Sequence, residues 1–187
     1  MKYLIFGLGN IGYEYKETRH NVGFKVLDAL AYASNIVFED KRYGARAEYK
    51  FKGRNFILIK PSTYMNRSGK AINYYLKKEK LSVENSLIIV DDIALPFGTL
   101  RLRAKGGPAG HNGLIDIIET MGHQNFPRLR FGIGNDFGIG QQVDYVLGEW
   151  TGEEKKNLPE RIDAAIQIIK SFGTIGLART MNQYNNK

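Results

Sequence analysis

Short apolar runs alternate with segments of helical periodicity along this chain, and this alternation is the strongest constraint on its fold. Tyr3–Phe6 and Leu87–Val90 are short apolar runs that predict buried strands. Apolar residues recur at helical spacing behind Asn21, which we expect to cap a helix. Strands that alternate with helices favour an α/β layer fold. Because the 187 residues contain no repeat and no linker, we expect one domain over residues 1–187.

The same patterns predict the remaining elements of the fold. Alternating or apolar runs predict strands over 45–51, 55–59, 98–103 and 128–133. Helical spacing predicts helices over 71–80 and 114–121, and a C-terminal helix that stops at Gly173.

The residue types that are missing exclude several kinds of site. Because the sequence has no cysteine, it has no disulfide, zinc–thiolate centre, iron–sulfur cluster or cysteine nucleophile. Only three histidines are present, so a metal cage of several histidines is not expected. The apolar run after Met1 is too short for a signal peptide, and no run is long enough to span a bilayer. We therefore expect a cytoplasmic protein with no metal, no other cofactor and no membrane partner.

The formal net charge of +8 indicates what kind of partner the chain has. A basic balance favours a polyanion, RNA or DNA before an anionic membrane, although solubility alone is an alternative explanation. Two alternating strands and one loop would present the basic residues Arg101, Arg103, Lys105, Arg128 and Arg130. A path for an RNA backbone explains these residues at least as well as a solvated face does.

Polar residues follow three of the predicted strands. Ligands of open α/β sheets bind beyond the carboxyl ends of the strands. If the three strands are parallel neighbours, one cleft receives polar residues from all of them: Asn10, His20 and Asn21 after the first, Tyr64, Met65 and Asn66 after the second, and Asp91 and Asp92 after the third.

His20 becomes a candidate base if one of these carboxylates binds it. A carboxylate that accepts from one ring nitrogen fixes the tautomer and leaves the other nitrogen free to take a proton. Periodicity does not tell whether Asp91 or Asp92 faces the cleft. The two aspartates would also suit Mg²⁺, but the lysine-bearing phosphate loop that accompanies such sites is missing.

A glycine pattern at the first strand imitates a dinucleotide-binding motif. Gly7, Gly9 and Gly12 match G-x-G-x-x-G, and Glu39 follows at the end of a later apolar run. In such a motif the helix begins at the glycines, whereas here residues 13–19 are polar and bulky. A tight turn that needs glycine is the better interpretation. A second loop, Gly106–Gly113, directly precedes a predicted helix. It contains His111 and Asn112, which we consider better candidates for a functional role than its glycines.

Long runs of the chain resemble the bacterial peptidyl-tRNA hydrolase family, and they occur in the family's order over nearly the whole chain. The runs are Phe6–Gly12, Tyr15–Gly23, Pro61–Gly69, Asp91-Asp92 with Leu95-Pro96, Gly110–Gly113, Arg128–Gly134, Val143–Gly148 and Ala178–Asn182. The resemblance implies a monomeric α/β domain with a twisted, mixed sheet and helices on both faces.

The activity that the resemblance implies is hydrolysis of the ester between a peptide, or an N-blocked aminoacyl group, and the 3′ ribose of tRNA. This reaction recycles tRNA from peptidyl-tRNA released by the ribosome, and it needs no metal. By the resemblance, the residue matching His20 is the general base and the one matching Asp92 holds it. The residue matching Asn10 helps to distinguish N-blocked from free aminoacyl-tRNA.

The resemblance also suggests which residues bind the substrate and its tRNA. We assign substrate contacts to Tyr15, Tyr64, Met65, Asn66, His111 and Asn112, and a basic track for tRNA to Arg103, Lys105 and Arg130. The sequence departs from the family pattern at Ile11, Ala94, Pro108 and Ala109, none of which is assigned to catalysis.

Overall fold

A seven-stranded mixed sheet forms the centre of the computed structural model, which describes residues 1–185. The last two residues of the predicted domain, Asn186 and Lys187, lie outside the described residues. The strands are β1 (Lys2–Gly7), β2 (Glu39–Lys41), β3 (Gly44–Phe51), β4 (Arg54–Pro61), β5 (Ser86–Asp92), β6 (Leu100–Arg103) and β7 (Arg128–Gly132). Their order across the sheet is β2-β3-β4-β1-β5-β7-β6.

The directions of the strands bring the expected strand ends together. β1 lies between β4 and β5 and is parallel to both. β7 is parallel to β5, whereas β3 and β6 are antiparallel to β4 and β7. The carboxyl ends of β1, β4 and β5 therefore lie side by side, as the position of the polar residues predicted.

Within residues 1–185, six α-helices lie on the two faces of the sheet. They are α1 (Val22–Ala33), α2 (Ser68–Glu79), α3 (Asn112–Met121), α4 (Gln142–Val146), α5 (Gly152–Ile175) and α6 (Leu177–Tyr184). One apolar cluster joins α1 and α5 to the sheet, and a second joins α2 and α3 to its other face. The α/β fold with a mixed sheet and helices on both faces is thus confirmed.

Coverage on both faces explains why the central strands are continuously apolar. Successive side chains of a strand point to opposite faces. In β5, Leu87 and Ile89 pack in the α1–α5 cluster, and Ile88 and Val90 pack in the α2–α3 cluster. All four are at most 1% exposed. A strand that is covered on both faces therefore has an almost continuous apolar run along its middle.

The prediction that Gly173 stops the C-terminal helix is wrong. α5 continues to Ile175 and ends at Gly176, which has a φ of 89°. A Cβ atom at Gly173 would lie 2.3 Å from the Phe56 ring. Gly173 is therefore required for close packing of α5 on the sheet, and the left-handed turn comes three residues later.

Two glycines bring α1 into backbone contact with β1 and the residue after it. A Cβ atom at Gly7 would lie 2.3 Å from the Gly23 carbonyl oxygen, and one at Gly23 would lie 2.5 Å from the Leu8 nitrogen. The 3-10 turn Arg19–Asn21 directly precedes α1. The close approach therefore sets the position of this turn relative to the ends of β1 and β5.

The end of the described chain covers the edge strand β6. The Asn185 side chain accepts from the Leu102 N–H at 2.8 Å and donates to the Leu102 carbonyl at 2.9 Å. These bonds satisfy backbone groups that an edge strand otherwise leaves open. Across residues 1–185, no helix combines the length and the apolar character needed to cross a membrane.

Candidate active site

His20 and Asp91 form a buried pair at the carboxyl ends of β1 and β5. Nδ1 of His20 lies 2.8 Å from Oδ2 of Asp91, and both residues are less than 10% exposed. Because an ionised carboxylate only accepts hydrogen bonds, Nδ1 carries the proton and donates. Nε2 of His20 is left with a lone pair. Within residues 1–185 it makes no hydrogen bond, and the ring lines a cavity of about 390 Å³.

His111 binds the other oxygen of the same carboxylate. Its Nε2 lies 2.8 Å from Oδ1 of Asp91. Its Nδ1 accepts the backbone N–H groups of Gly113 and Leu114, so His111 is the N-cap of α3. Since Nδ1 is the acceptor, Nε2 carries the proton and donates to Asp91. The sequence did not suggest this contact, which follows from the entry of α3 beside β5.

Burial and the charge of the partner act in opposite directions on the pKa values of Asp91 and His20. Burial raises the pKa of Asp91, but the charges of His20 and His111 and the hydrogen bonds from both rings lower it, and the net pKa lies far below its usual range. Burial lowers the pKa of His20, but the charge of Asp91 and its hydrogen bond raise it by more. The net pKa of His20 is therefore raised above its ordinary value of 6.5.

The carboxylate that holds His20 is Asp91 and not Asp92, so that part of the expected site is wrong. Asp92 accepts hydrogen bonds from Arg130 and, at 2.7 Å, from the Ala94 N–H. Side chains alternate along β5, so the two aspartates face opposite sides. Asp91 continues the face of Leu87 and Ile89, which is the side that α1 covers and from which His20 comes.

Three residues offer ligand atoms close enough for a metal ion, but these atoms already bind one another. Nitrogen or oxygen atoms of His20, Asp91 and His111 lie within 4.8 Å of one another. Both nitrogens nearest to Asp91 carry protons, at hydrogen-bond distances of 2.8 Å. Asp92 binds Arg130 and a backbone N–H through its two oxygens. Each carboxylate oxygen of Asp91 and Asp92 thus already accepts a hydrogen bond, with which a Mg²⁺ ion would have to compete.

The glycine motif does not form a dinucleotide site. α1 begins only at Val22, after two short 3-10 turns. A Cβ atom at Gly9 would lie 2.8 Å from the Phe24 ring. The space beside Gly7 and Gly9 is thus filled by α1 itself. Within residues 1–185, no α-helix begins at the glycines, as a bound pyrophosphate would require.

Asn10 is held in one orientation at the edge of the site. Its Oδ1 accepts the Met65 N–H at 2.7 Å. The Asn21 side chain bonds to both backbone groups of Asn10, at 2.9 Å each. Because Oδ1 is the acceptor, the Asn10 NH₂ group remains the donor. Asn21 does precede α1, but its side chain caps no helix and stabilises the Asn10 loop instead.

The other expected substrate contacts fall into two groups. Tyr64, Asn66 and Asn112 are exposed and Tyr15 is half-buried, so each has surface open to a ligand. Tyr64 has a φ of 61°, which is strained for a residue other than glycine. Met65 is 3% exposed. It lies in the core between β1 and α3, and its backbone N–H positions Asn10.

Four of the basic residues line the same cavity as His20. They are Arg103, Lys105, Arg128 and Arg130. Arg130 is paired with Asp92. Arg128 was expected on the same exposed face, but it is 1% exposed and that expectation is wrong.

The guanidinium of Arg128 binds backbone carbonyl groups of the protein itself. It donates to the carbonyl oxygens of Gly106 and Gln124 at 2.7 and 2.8 Å, and to those of Gly107 and Phe126 at 3.3 Å. Burial, followed by the charge of Arg130, lowers the pKa of Arg128 to about 10. Arg128 therefore fixes the loop that leads to His111.

Comparisons with known proteins agree with one another. A family model described as peptidyl-tRNA hydrolase matches residues 4–187. Peptidyl-tRNA hydrolases of Phocaeicola vulgatus and Bacteroides fragilis are 63% and 60% identical over 187 residues, with full coverage of both chains. The crystal structure of peptidyl-tRNA hydrolase from Acinetobacter baumannii has a TM-score of 0.91 at 36% identity, over 98% of this chain and 94% of that one.

The match extends over nearly the whole chain and includes every residue of the His20–Asp91–His111 cluster. Relatives above 50% identity cover the chain from end to end. The chain belongs to the peptidyl-tRNA hydrolase family.

Proposed function

We propose that this hydrolase cleaves the ester between a peptide, or an N-blocked aminoacyl group, and the 3′ ribose of tRNA, with His20 as general base. The observation that carries the proposal is the state of His20. Asp91 binds Nδ1, and the ring, whose Nε2 makes no hydrogen bond within residues 1–185, lines a cavity with basic residues. A neutral, oriented imidazole beside a surface for a polyanion suits hydrolysis of an ester on RNA.

The reaction begins with a water molecule at Nε2 of His20. Nε2 takes one proton as the water oxygen bonds to the ester carbonyl carbon, which gives a tetrahedral oxyanion. Collapse of this intermediate breaks the bond to the ribose 3′ oxygen. The leaving oxygen takes the proton from His20, and the products are the free peptide and tRNA. Asp91 stays ionised throughout and stabilises the imidazolium that forms.

Amide groups are the proposed donors to the oxyanion and to the peptide backbone. Asn10 is the strongest candidate because its Oδ1 is already bonded to the Met65 N–H, so its NH₂ group is free to donate. Donors that are held in place before the reaction stabilise developing charge without a cost of reorganisation. Asn66 is the second candidate, and Asn112, which lines the cavity with His20, is positioned to hold the water.

The tRNA is proposed to bind along the basic wall of the cavity. Arg103 and Lys105 are exposed there, and Arg130 is held beside them by Asp92. Cations at this position would bind the phosphates nearest to the ester. Tyr15 and Tyr64 are proposed to pack against the terminal adenine or the peptide.

An ester is easier to hydrolyse than an amide, so the proposed mechanism needs no metal. We further propose that the enzyme acts as a monomer in the cytoplasm. The competing function is that of an RNA-binding protein without catalysis. The hydrogen-bonded His20–Asp91 pair favours the enzyme, because binding RNA does not require a buried, oriented base.

The decisive experiment compares two substrates. N-acetyl-aminoacyl-tRNA and unblocked aminoacyl-tRNA are each incubated with the protein, and release of the acyl group is measured. Release from the N-blocked substrate alone is the expected result. Binding of tRNA without release from either substrate would leave the RNA-binding protein as the function.

A further inference from the structure

A second basic surface begins beside Asn10, outside the cavity that contains His20. Tyr64 and Asn66 flank Met65, whose N–H binds Asn10, and they line a separate cavity with Tyr43, Arg67 and Lys70. We name as the α2 patch the cations Arg42, Arg67, Lys70 and Lys78 together with Tyr43 and Tyr74. Its members lie on α2, on the turn before it and on the turn between β2 and β3.

The positive charge of the α2 patch is uncompensated. Residues 62–78 contain no Asp or Glu. Within the described part of the chain, none of the four cations of the patch takes part in an ion pair, whereas Arg130 in the catalytic cavity is paired with Asp92. A surface of this kind attracts anionic groups more strongly than one whose charges are paired.

Tyrosine rings hold the cations of the α2 patch in place. The Arg42 guanidinium and the Lys70 ammonium lie 5.1 and 5.2 Å from the centre of the Tyr43 ring. The Tyr74 ring meets Tyr43 edge to face at 5.2 Å and has Lys78 at 5.8 Å. Because cations cover these rings, Tyr43 and Tyr74 are poor platforms for stacked bases, which need a free ring face. The patch therefore offers charge for an anionic side chain such as a carboxylate, and not a stacking surface for bases.

We propose that the α2 patch binds acidic side chains in the peptide part of the substrate and so makes the enzyme selective for peptides with Asp or Glu upstream of the ester. The inference rests on the proposed function. With the ester at His20 and the phosphates at Arg103 and Lys105, a peptide that passes the amides of Asn10 and Asn66 would enter the patch, because Asn66 lines one cavity with Tyr43, Arg67 and Lys70. Each residue of an extended peptide spans about 3.3–3.6 Å, so successive upstream side chains would lie along that cavity.

The test uses one tRNA that carries N-acetylated peptides of equal length. A single Glu, Gln or Lys is placed at each of the positions one to four residues before the esterified residue. We expect kcat/KM to be about three- to tenfold higher for Glu than for Gln at one or two positions, and lower still for Lys. N-acetyl-aminoacyl-tRNA has no upstream residue, so its rate of hydrolysis measures the activity of the catalytic centre without the patch.

The variant Arg42→Glu/Lys70→Glu tests the patch directly. Both residues are exposed, and the double substitution leaves two cations and two carboxylates in the patch, so the preference for Glu over Gln and Lys should disappear. Lys155→Glu/Lys156→Glu is the matched control. It makes the same change of net charge on α5, which covers the opposite face of the sheet, and should keep the preference for Glu.

Each other outcome overturns the proposal in a recognisable way. Equal kcat/KM for Glu, Gln and Lys peptides in the wild type would mean that the patch does not distinguish peptides by their charge. If the patch variant weakens binding of deacylated tRNA and slows all substrates equally, the patch is a path for RNA. If the wild type does not hydrolyse N-acetyl-aminoacyl-tRNA, the proposed function fails, and the inference drawn from it fails as well.

Discussion

His20 and His111 bind the two oxygens of one carboxylate, and their ring centres lie 5.0 Å apart. His111 is tied at both nitrogens, to Asp91 and to the first turn of α3. His20 is tied at one nitrogen only. The two rings therefore have different roles. His111 holds the carboxylate in place, and His20 keeps a basic nitrogen for the substrate.

His20→Ala should lower kcat by about 10²–10⁴-fold, because that is the usual contribution of a general base. KM should change little, since the basic wall of the cavity remains. Steady-state hydrolysis of N-acetyl-aminoacyl-tRNA measures both constants. Turnover close to that of the wild type would contradict the assignment of His20.

The pH dependence of the wild type follows from the raised pKa of His20. The protonated ring cannot accept a proton from water, so kcat/KM should fall as the pH decreases through this pKa. Because Asp91 raises the pKa, the acid limb of the profile should lie above pH 6.5, the ordinary value. A profile whose acid limb lies below pH 6.5 would show that His20 is not stabilised in its charged form.

The two aspartates should differ sharply when each is changed to asparagine. Asp91→Asn removes the charge that raises the pKa of His20, so the acid limb moves to lower pH. The new amide can donate to Nδ1 and place the proton on Nε2, so kcat should fall by at least about 10²-fold. Asp92→Asn should leave the acid limb in place and change mainly KM, through Arg130. The reverse result would restore Asp92 as the partner of His20.

Arg103→Ala should weaken binding of tRNA and reduce its dependence on salt. Each phosphate contact contributes roughly one unit to the slope of log K against log salt, so the slope should fall by about one. Filter binding of deacylated tRNA at several salt concentrations gives this slope. Lys156→Ala on α5 is the control and should keep the wild-type slope. An unchanged slope in Arg103→Ala would place the RNA path elsewhere.

Arg128→Met should lower the free energy of unfolding by about 1–3 kcal/mol, because it removes the hydrogen bonds by which Arg128 joins the 106–107 segment to the 124–126 segment. Arg103→Met, at an exposed position, should change it by less than about 0.5 kcal/mol. Urea unfolding followed by circular dichroism measures both. Equal stability of the two variants would mean that the bonds of Arg128 add nothing.

Treatment with EDTA should leave the rate of hydrolysis unchanged. The proposed mechanism uses only His20, Asp91 and amide donors, and the hydrogen bonds at Asp91 occupy the atoms that a metal would need. Activity is measured before and after chelation and after addition of Zn²⁺ or Mg²⁺. Loss on chelation that one of these ions restores would establish a metal requirement.

The sequence was sufficient to predict the sheet and the meeting of three strand ends, because apolar runs and their polar ends are local features. It was not sufficient to choose between Asp91 and Asp92, which are adjacent in sequence and face opposite sides of the sheet. That choice depends on which face α1 covers, and only the packing decides it.

Arg128 and Gly173 are two further residues whose surroundings could not be predicted from the sequence. An arginine in an alternating strand predicts an exposed face, yet two of the four carbonyl groups that bind Arg128 belong to Gly106 and Gly107, which are 22 and 21 residues earlier in the chain. A glycine late in a helix predicts its end, yet Gly173 is needed because Phe56 from β4 lies against it. In both residues the deciding neighbour is distant in sequence, so no local pattern reveals it.

Gly7 and Gly23 pack so closely that the geometry of the reaction requires both positions to lack a side chain. A methyl group at either position would act as a wedge between α1 and the sheet, and the helix would carry His20 away from Asp91. Such a variant would fold around the same apolar clusters and still lose the alignment of its base. Backbone atoms that do not contact the substrate therefore decide which substitutions this active site can accept.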